Sequence, residues 1–308
     1  MPPQEKPSGK SKAMKNKKRA QNPNCPNFCD DVIITDKISK PRIKRKQRPN
    51  WLQLPYDVTI NIFRKLGAVE ILLNARKVCK AWHNICKEPF LWIVTSMHHD
   101  VDYGKFEPAH LDLICMAAVD RSQGQLLDVS IEFLATRTVM NYIAQRSSQL
   151  SRLRLVNCHY YLDRHTWNKF LERVPLLEEL SLKFSGMPGE AIEDASRHCP
   201  MLTTIKIRVY DKGCHPCLDV VLAAAMGMTQ LRHLQLSGYV ILRRHLEAII
   251  SSGCTHLESL DLTGCFSARD IISLSLREKC IAQIENIRFP ADWMGKFMGE
   301  ADWSEMED

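Results

Sequence analysis

Cys214, His215, Pro216 and Cys217 form a C-x-x-C pair, the spacing with which thiolates grip a zinc ion or exchange a disulfide. Either chemistry needs further residues. A structural zinc asks for a second pair at a defined spacing, and a redox pair asks for a thioredoxin-like βαβ surround. Neither is present, so the pair reads as part of a loop ahead of a helix. Cys25 and Cys29 lie in a lysine-rich N-terminal stretch and read the same way, and His98-His99 reads as a chance pair. No glycine-rich phosphate loop, G-x-S-x-G or H-E-x-x-H occurs. The residues therefore imply no catalytic constellation, no metal and no cofactor, and the chain reads as a non-enzyme.

The other chemistry on offer is charge recognition. Arg152, Arg154, Lys183, Lys206 and Arg208 sit between apolar residues in short alternating segments. Clustered Arg and Lys suit a carboxylate-rich or phosphorylated ligand. They can act together only if those segments lie side by side, and a repeat supplies the means. The pattern Leu-x-x-Leu-x-Leu reads Leu126, Val129, Ile131, then Leu150, Leu153, Leu155, then Leu177, Leu180, Leu182. It continues through Leu202, Ile205, Ile207, then Leu231, Leu234, Leu236, then Leu257, Leu260, Leu262, and ends at Ile284, Ile287, Phe289. The starts are 24, 27, 25, 29, 26 and 27 residues apart, which is the leucine-rich-repeat period. The last two apolar positions of each unit alternate, so they point inward from a short strand. The intervening segments, such as the one with Phe170, Leu171 and Val174 or with Leu246, Ile249 and Ile250, must return as helices. Each unit hides its apolar side only by stacking on its neighbours. Strand positions between the leucines then face the concave side, where Arg152, Arg154, Glu179, Lys183, Lys206 and Arg208 make the middle strands mostly positive.

Charge is unevenly placed along the chain. Residues 1–50 hold 14 of the 42 Lys/Arg and 4 of the 35 Asp/Glu, a local +10, which leaves 28 basic and 31 acidic residues beyond them. Basicity thus belongs to a tail, and a nucleic-acid surface over the folded part is not supported. Residues 1–49 carry few large apolar residues and are expected to be disordered. Their basic runs, Lys15 to Arg19 and Lys40 to Arg48, fit either nuclear import or a solvated tail. No run of about 18 apolar residues is present, so no membrane span is expected. With no secretion signal in view, the twelve cysteines are expected to be free thiols. Cys199, Cys254 and Cys280 recur just ahead of a strand, and Cys158 and Cys265 just after one, as small buried fillers do.

Ahead of the repeats, Pro55 suits a helix start and Gly67 a helix stop. Between them Val58, Ile62, Phe63 and Leu66 fall on one helical face, and two shorter helices are expected over Val69–Ala75 and Val78–Lys87. Trp82, Leu91 and Trp92 bring more apolar surface than about 45 residues can hide, which predicts a covering partner. The stretch Leu54-Pro55-x-Asp57-Val58, with Ile62-Phe63, Leu66, Val78-Cys79-Lys80-x-Trp82 and Leu91-Trp92, resembles an F-box. With Cys199-Pro200-x-Leu202 in the repeats, residues 50–290 resemble cysteine-containing F-box/leucine-rich-repeat proteins. The stretches Ala118 to Gly124 and Arg146-Ser147-Ser148 are similar to the plant group called Skp-interacting-partner-nineteen-like. The residues at the strand ends (Asn157, Phe184, Val209, Gly238, Gly264) depart from the regular His or Asn of that pattern.

The expected architecture is α/β: a three-helix F-box over 50–93, a linker and capping helix over 94–125, and a curved solenoid of about seven repeats over 126–290. The tail 1–49 precedes it and an acidic stretch, 291–308, follows. The resemblance implies that Leu54, Pro55, Val58, Ile62, Leu66, Val78, Cys79 and Trp82 contact a Skp-type adaptor, through which a cullin is reached. It also implies a substrate-recognition role in a ubiquitin ligase, with a protein target held on the repeats, in the nucleus, the cytoplasm or both. The alternatives are a repeat scaffold acting outside a ligase, and a nuclear protein brought to nucleic acid by its tail.

Overall fold

The apolar triplets build a single parallel sheet. A computed structural model of the chain describes residues 51, 54–98, 108–133, 135–158, 163–184, 188–209, 216–251, 256–266 and 273–290. The basic tail, the acidic C-terminal stretch and the Cys214-His215 half of the C-x-x-C pair lie outside them. The strands are β1 (Val94–Met97), β2 (Asp128–Glu132), β3 (Arg152–Val156), β4 (Glu179–Lys183), β5 (Thr204–Arg208), β6 (His233–Val240), β7 (Ser259–Phe266) and β8 (Asn286–Arg288). They pair in chain order, all parallel. The register sets Val129, Leu153, Leu180, Ile205, Leu234, Leu260 and Ile287 in one row across seven strands. That row is the middle residue of each triplet. The leading residues, Leu126, Leu150, Leu177, Leu202, Leu231, Leu257 and Ile284, are all buried, none more than 4% exposed. Burying each such side chain stabilises by ~2 kcal/mol relative to leaving it in water, but only once its neighbour is in place.

Between the strands run α3 (Pro108–Arg121), α4 (Arg137–Arg146), α5 (Arg164–Leu171), α6 (Pro188–His198), α7 (Pro216–Met226), α8 (Arg243–Ser251) and α9 (Leu274–Gln283). Local chemistry starts several of them. Thr136, Asp163 and Ser273 each accept a hydrogen bond from a backbone N–H three residues on, the N-cap arrangement. Neighbouring helices are tied by charge: the Arg164 guanidinium on α5 donates Nε and Nη2 to both oxygens of the fully buried Asp194 on α6, at 3.0 and 2.9 Å. Asn168 donates to the same carboxylate at 3.1 Å, and Arg197 also bonds it. A buried carboxylate is tolerable only with this degree of pairing.

The sheet has eight strands where the leucine spacing predicts seven, and it begins at Val94, inside the stretch expected to be linker. In register, Trp92, Thr95 and Met97 occupy the triplet positions of Leu126, Val129 and Ile131. Thr95 stands where the other units carry an aliphatic residue, and it is buried there because its hydroxyl donates to the Trp92 carbonyl at 2.8 Å. Helix α3 is therefore a return helix between two strands and not a cap.

The end of the sheet is covered instead by the leading helices. Helix α1 (Tyr56–Leu73) is broken at Gly67, whose φ of 78° and ψ of 162° lie outside helical space in a region open essentially to glycine alone. A Cβ there would also meet the His98 ring at 2.6 Å and the Ser96 carbonyl at 3.2 Å. The part of α1 after Gly67 and helix α2 (Lys80–Ile85), joined by a 3-10 turn at Ala75–Lys77, stand where the two short helices are expected over Val69–Ala75 and Val78–Lys87. One continuous apolar core runs from Ile60 and Phe63 through Trp92 to Ile284, and the described residues form one unit.

Several strand-end residues of unlike type share one backbone conformation. Phe133, Asn157, Phe184 and Gly238 all take positive φ, between 51° and 85°. The N–H groups of Phe133, Asn157, Phe184 and Val209 donate to carbonyls of the next strand at 2.7–3.0 Å. The rung is a main-chain one, so the side chain is free to vary at Phe133, Asn157, Phe184 and Val209, whereas a Cβ at Gly264 would sit 2.1 Å from the Ser237 hydroxyl oxygen, and Gly238 is closed to one as well. A Cβ there would sit 2.3 Å from the Val209 carbonyl oxygen.

Candidate functional site

Two surfaces bring the sequence-selected residues together. The first is on α1 and α2. The single apolar face expected for α1 is in fact two. Ile60 and Phe63 turn inward and are buried, whereas Val58 is exposed and Leu54, Ile62 and Leu66 are only half-buried. The outward set continues with the exposed Pro55 and with Val78, 53% exposed, and is joined by Trp51 and Tyr56, 57% and 54% exposed. Cys79 and Trp82 have a structural part as well. The Cys79 thiol accepts from the Trp82 N–H at 3.5 Å as the N-cap of α2. The Trp82 ring, half-buried, packs edge-on against Phe63 at 5.1 Å. Part of the apolar excess is accounted for internally, since Leu91 and Trp92 sink into the core shared with the repeats and the Trp92 indole donates to the Cys86 carbonyl at 3.1 Å. What is left uncovered is the outward row on α1 and the Val78 corner.

The second surface is the open face of β3–β6. Pairing sets Ser130, Arg154, Ser181, Lys206, Gln235 and Asp261 in one row, with Lys183 and Arg208 paired in the next. Arg154, Ser181, Lys183, Lys206, Arg208 and Gln235 line a cleft of about 210 Å³ whose lining holds no carboxylate. Four of the five basic residues selected from sequence thus meet in one place. The fifth, Arg152, does not line the cleft. It forms an ion pair with Asp128 at 2.9 Å, and that bond holds its pKa above the usual guanidinium value. Lys206 bonds Glu179 at 2.6 Å, and the Arg208 guanidinium lies over the Phe184 ring at 5.4 Å. Arg154 forms no hydrogen bond or ion pair among the described residues.

Ser181 was not among the residues selected from sequence. It is 1% exposed, yet its hydroxyl has no hydrogen-bond partner. A small neutral side chain gives no signal in a list of charges; only the register, which seats it between Arg154 and Lys206, singles it out.

The buried cysteines among the described residues behave as packing residues; Cys254, also expected as a filler, lies outside them. Cys86, Cys115, Cys158, Cys199, Cys265 and Cys280 are buried and unpaired. Burial pushes the thiols of Cys115, Cys199 and Cys265 up to about 12, far from the thiolate that redox or metal chemistry needs. Among the described residues no three His, Cys, Asp or Glu side chains gather to hold a metal ion, and no helix is long and apolar enough to cross a membrane.

The sheet, its return helices and the outward face of α1 define the class: a leucine-rich-repeat protein with an F-box-like module against the first strand. Residues 51–94 match the F-box-like family model. The chain is 37% identical to the F-box protein SKIP19 of Arabidopsis thaliana over 79% of its own length and 78% of that protein's. It is 39% identical to putative F-box/LRR-repeat protein 23 of the same plant, over 81% of its own length but 55% of that relative's. Of solved structures, the leucine-rich repeat-containing protein LegL7 of Legionella pneumophila overlays 60% of this chain and 78% of that one, at 15% identity and a TM-score of 0.33. The chain belongs to the F-box/leucine-rich-repeat family.

Proposed function

We propose that the chain is a substrate-recognition subunit of a Skp–cullin–F-box ubiquitin ligase. In this reading it makes and breaks no bonds itself. The outward face of α1 binds a Skp-type adaptor, the adaptor brings the cullin, and the open face of the sheet holds a target protein through an acidic or phosphorylated segment. The chain's contribution is proximity and orientation. The observation that carries the proposal is the division of α1. Ile60 and Phe63 belong to the core, while of the positions that the F-box resemblance assigns to the adaptor Pro55, Val58 and Val78 are exposed and Leu54, Ile62 and Leu66 keep a half-open side. Apolar side chains left in water in a contiguous patch favour a partner that covers them. F-box/leucine-rich-repeat proteins are in general non-catalytic adaptor subunits, and that is the role proposed for this chain.

The test is co-purification. The parent chain should retain a Skp-type adaptor and, with it, a cullin. Replacing Leu54 and Pro55 with Ala should abolish both while the melting transition stays in place. Retention of the adaptor by that variant refutes the assignment of the face. Capture of adaptor without cullin favours the scaffold reading instead. The tail is proposed as a nuclear-import segment: deleting 1–49 should leave adaptor capture unchanged and move any nuclear pool to the cytoplasm, and an unchanged distribution refutes that role.

A further inference from the structure

The cleft on β3–β6 has a polar atom at its floor that nothing in the fold uses. Ser181 is fully enclosed at its base, between Arg154 on one neighbouring strand and Lys206 on the other. A buried hydroxyl without a partner is costly in a folded protein. We propose that this cleft is a phosphate-monoester site and that its ligand is a phosphorylated side chain of a target protein, with Ser181 Oγ donating to one phosphate oxygen from below. The proposal rests on the substrate-receptor reading and narrows its ligand from any acidic segment to a phosphorylated one.

The geometry favours phosphate over carboxylate. Arg154, Ser181 and Lys206 stand in one row at strand spacing, so the two cations lie about 10 Å apart at their Cα atoms, with the hydroxyl midway. Lys183 and Arg208 stand two residues further along, about 7 Å up the strands. Cations therefore flank Ser181 on both neighbouring strands and follow it at one end of the cleft, with the hydroxyl beneath. A planar carboxylate with two oxygens meets only some of them. A phosphate monoester offers three terminal oxygens and close to two negative charges. Glu179 offsets part of the Lys206 charge, and the lining contains no carboxylate of its own to repel an anion. The volume selects the source. About 210 Å³ is below the roughly 300–1,000 Å³ of sites that engulf a small ligand. It holds one phosphate and the end of a side chain, while the rest of the ligand lies along the open row toward Gln235.

The test uses the full chain co-expressed with its Skp-type adaptor. Three probes are compared: a degenerate peptide library centred on phosphoserine, the same library with aspartate at that position, and inositol hexakisphosphate. Retention of the phosphoserine library well above the aspartate library is expected. Ser181→Ala should weaken that retention about tenfold, the worth of one hydrogen bond to a charged group. The same variant should melt no lower than the parent when phosphate is absent, because it removes a hydroxyl that has no partner. Arg154→Gln with Lys206→Gln should reduce retention by roughly a hundredfold. Equal retention of both libraries, or a Ser181→Ala variant that binds as the parent does, overturns the proposal. Ser181-dependent binding of inositol hexakisphosphate with no preference among the peptides overturns the protein source. Adaptor capture is scored in every sample. Its loss in the parent chain speaks against the receptor reading, whereas its persistence alongside a failed library result speaks against the cleft alone.

Discussion

Gly67→Ala should weaken the whole structured chain, and the size of the effect can be worked out. Two costs add. Alanine at φ 78° and ψ 162° occupies a region that costs about 1–3 kcal/mol for a residue with a Cβ. That Cβ would lie 2.6 Å from His98 Cε1, so the imidazole must swing away and give up its 2.7 Å hydrogen bond with Ser96, worth about 1 kcal/mol. The total is about 2–4 kcal/mol, a large part of an ordinary domain's stability. Urea unfolding followed by circular dichroism, on the parent, Gly67→Ala, His98→Ala and the double variant, separates the two costs. His98→Ala alone should cost about 1 kcal/mol. The double variant should cost less than the sum of the singles by a similar amount, since the ring is no longer there to be displaced. Because α1 and the strands share one core, the entire transition should shift without an early phase. A Gly67→Ala variant within about 0.5 kcal/mol of the parent, or strict additivity in the double variant, would show that α1 does not dock on β1 through this residue.

Leu234→Asp places a carboxylate in a fully buried row between Ile205 and Leu260; a cost of ~4 kcal/mol or more should abolish the cooperative melt, and a native transition in that variant would refute the register. Asp163 caps α5, and its hydrogen bonds from the Thr166 N–H and hydroxyl, with Arg137 nearby, hold its carboxyl well below the usual range. A depressed folded-state pKa means that this contribution is complete above the ordinary carboxylate pKa and is lost as pH falls below it. Asp163→Ala should therefore lower Tm most at neutral pH and converge on the parent in acid; a Tm gap that widens in acid would contradict the assignment. Cys115, Cys199 and Cys265, buried and raised to about 12, should resist iodoacetamide at pH 8 in the native chain and react after unfolding, as read by mass spectrometry. Labelling of any of them at the rate of a free thiol in the folded state would place it on the surface.

The strands were legible because their signal is redundant. Seven triplets carry the same alternation, and each leucine is buried for the same reason, so an error in one unit is corrected by the others. The eighth strand escaped because its triplet is Trp92, Thr95 and Met97: an indole and a hydroxyl stand where the pattern expects aliphatics. Thr95 passes as polar until its bond to the Trp92 carbonyl is seen. For the same reason α3, which follows β1 in the chain, could be taken for a cap. On α1 the spacing grouped Phe63 with Val58, Ile62 and Leu66, because a 3.6-residue period cannot tell an inward stripe from an adjacent outward one. Tertiary packing decides that, and it puts Phe63 against Trp82. The basic cleft was legible in its charges, and Ser181 was not, since its significance comes from enclosure and from having no partner.

The sharing of one core by Phe63, Trp92, Met97 and the leucines of the repeats makes the repeat count a gauge length. Each strand–helix unit inserted or deleted between β1 and β4 would displace Ser181 from α1 by one strand spacing, about 4.8 Å. It would also turn Ser181 by roughly 20° with the sheet's twist. A receptor built this way sets where a bound cargo points by counting units, much as a gear train sets phase by counting teeth. If the proposed receptor role holds, relatives with the same outward face on α1 but one unit more or fewer would offer a different stretch of the same cargo to whatever waits on the far side of the adaptor.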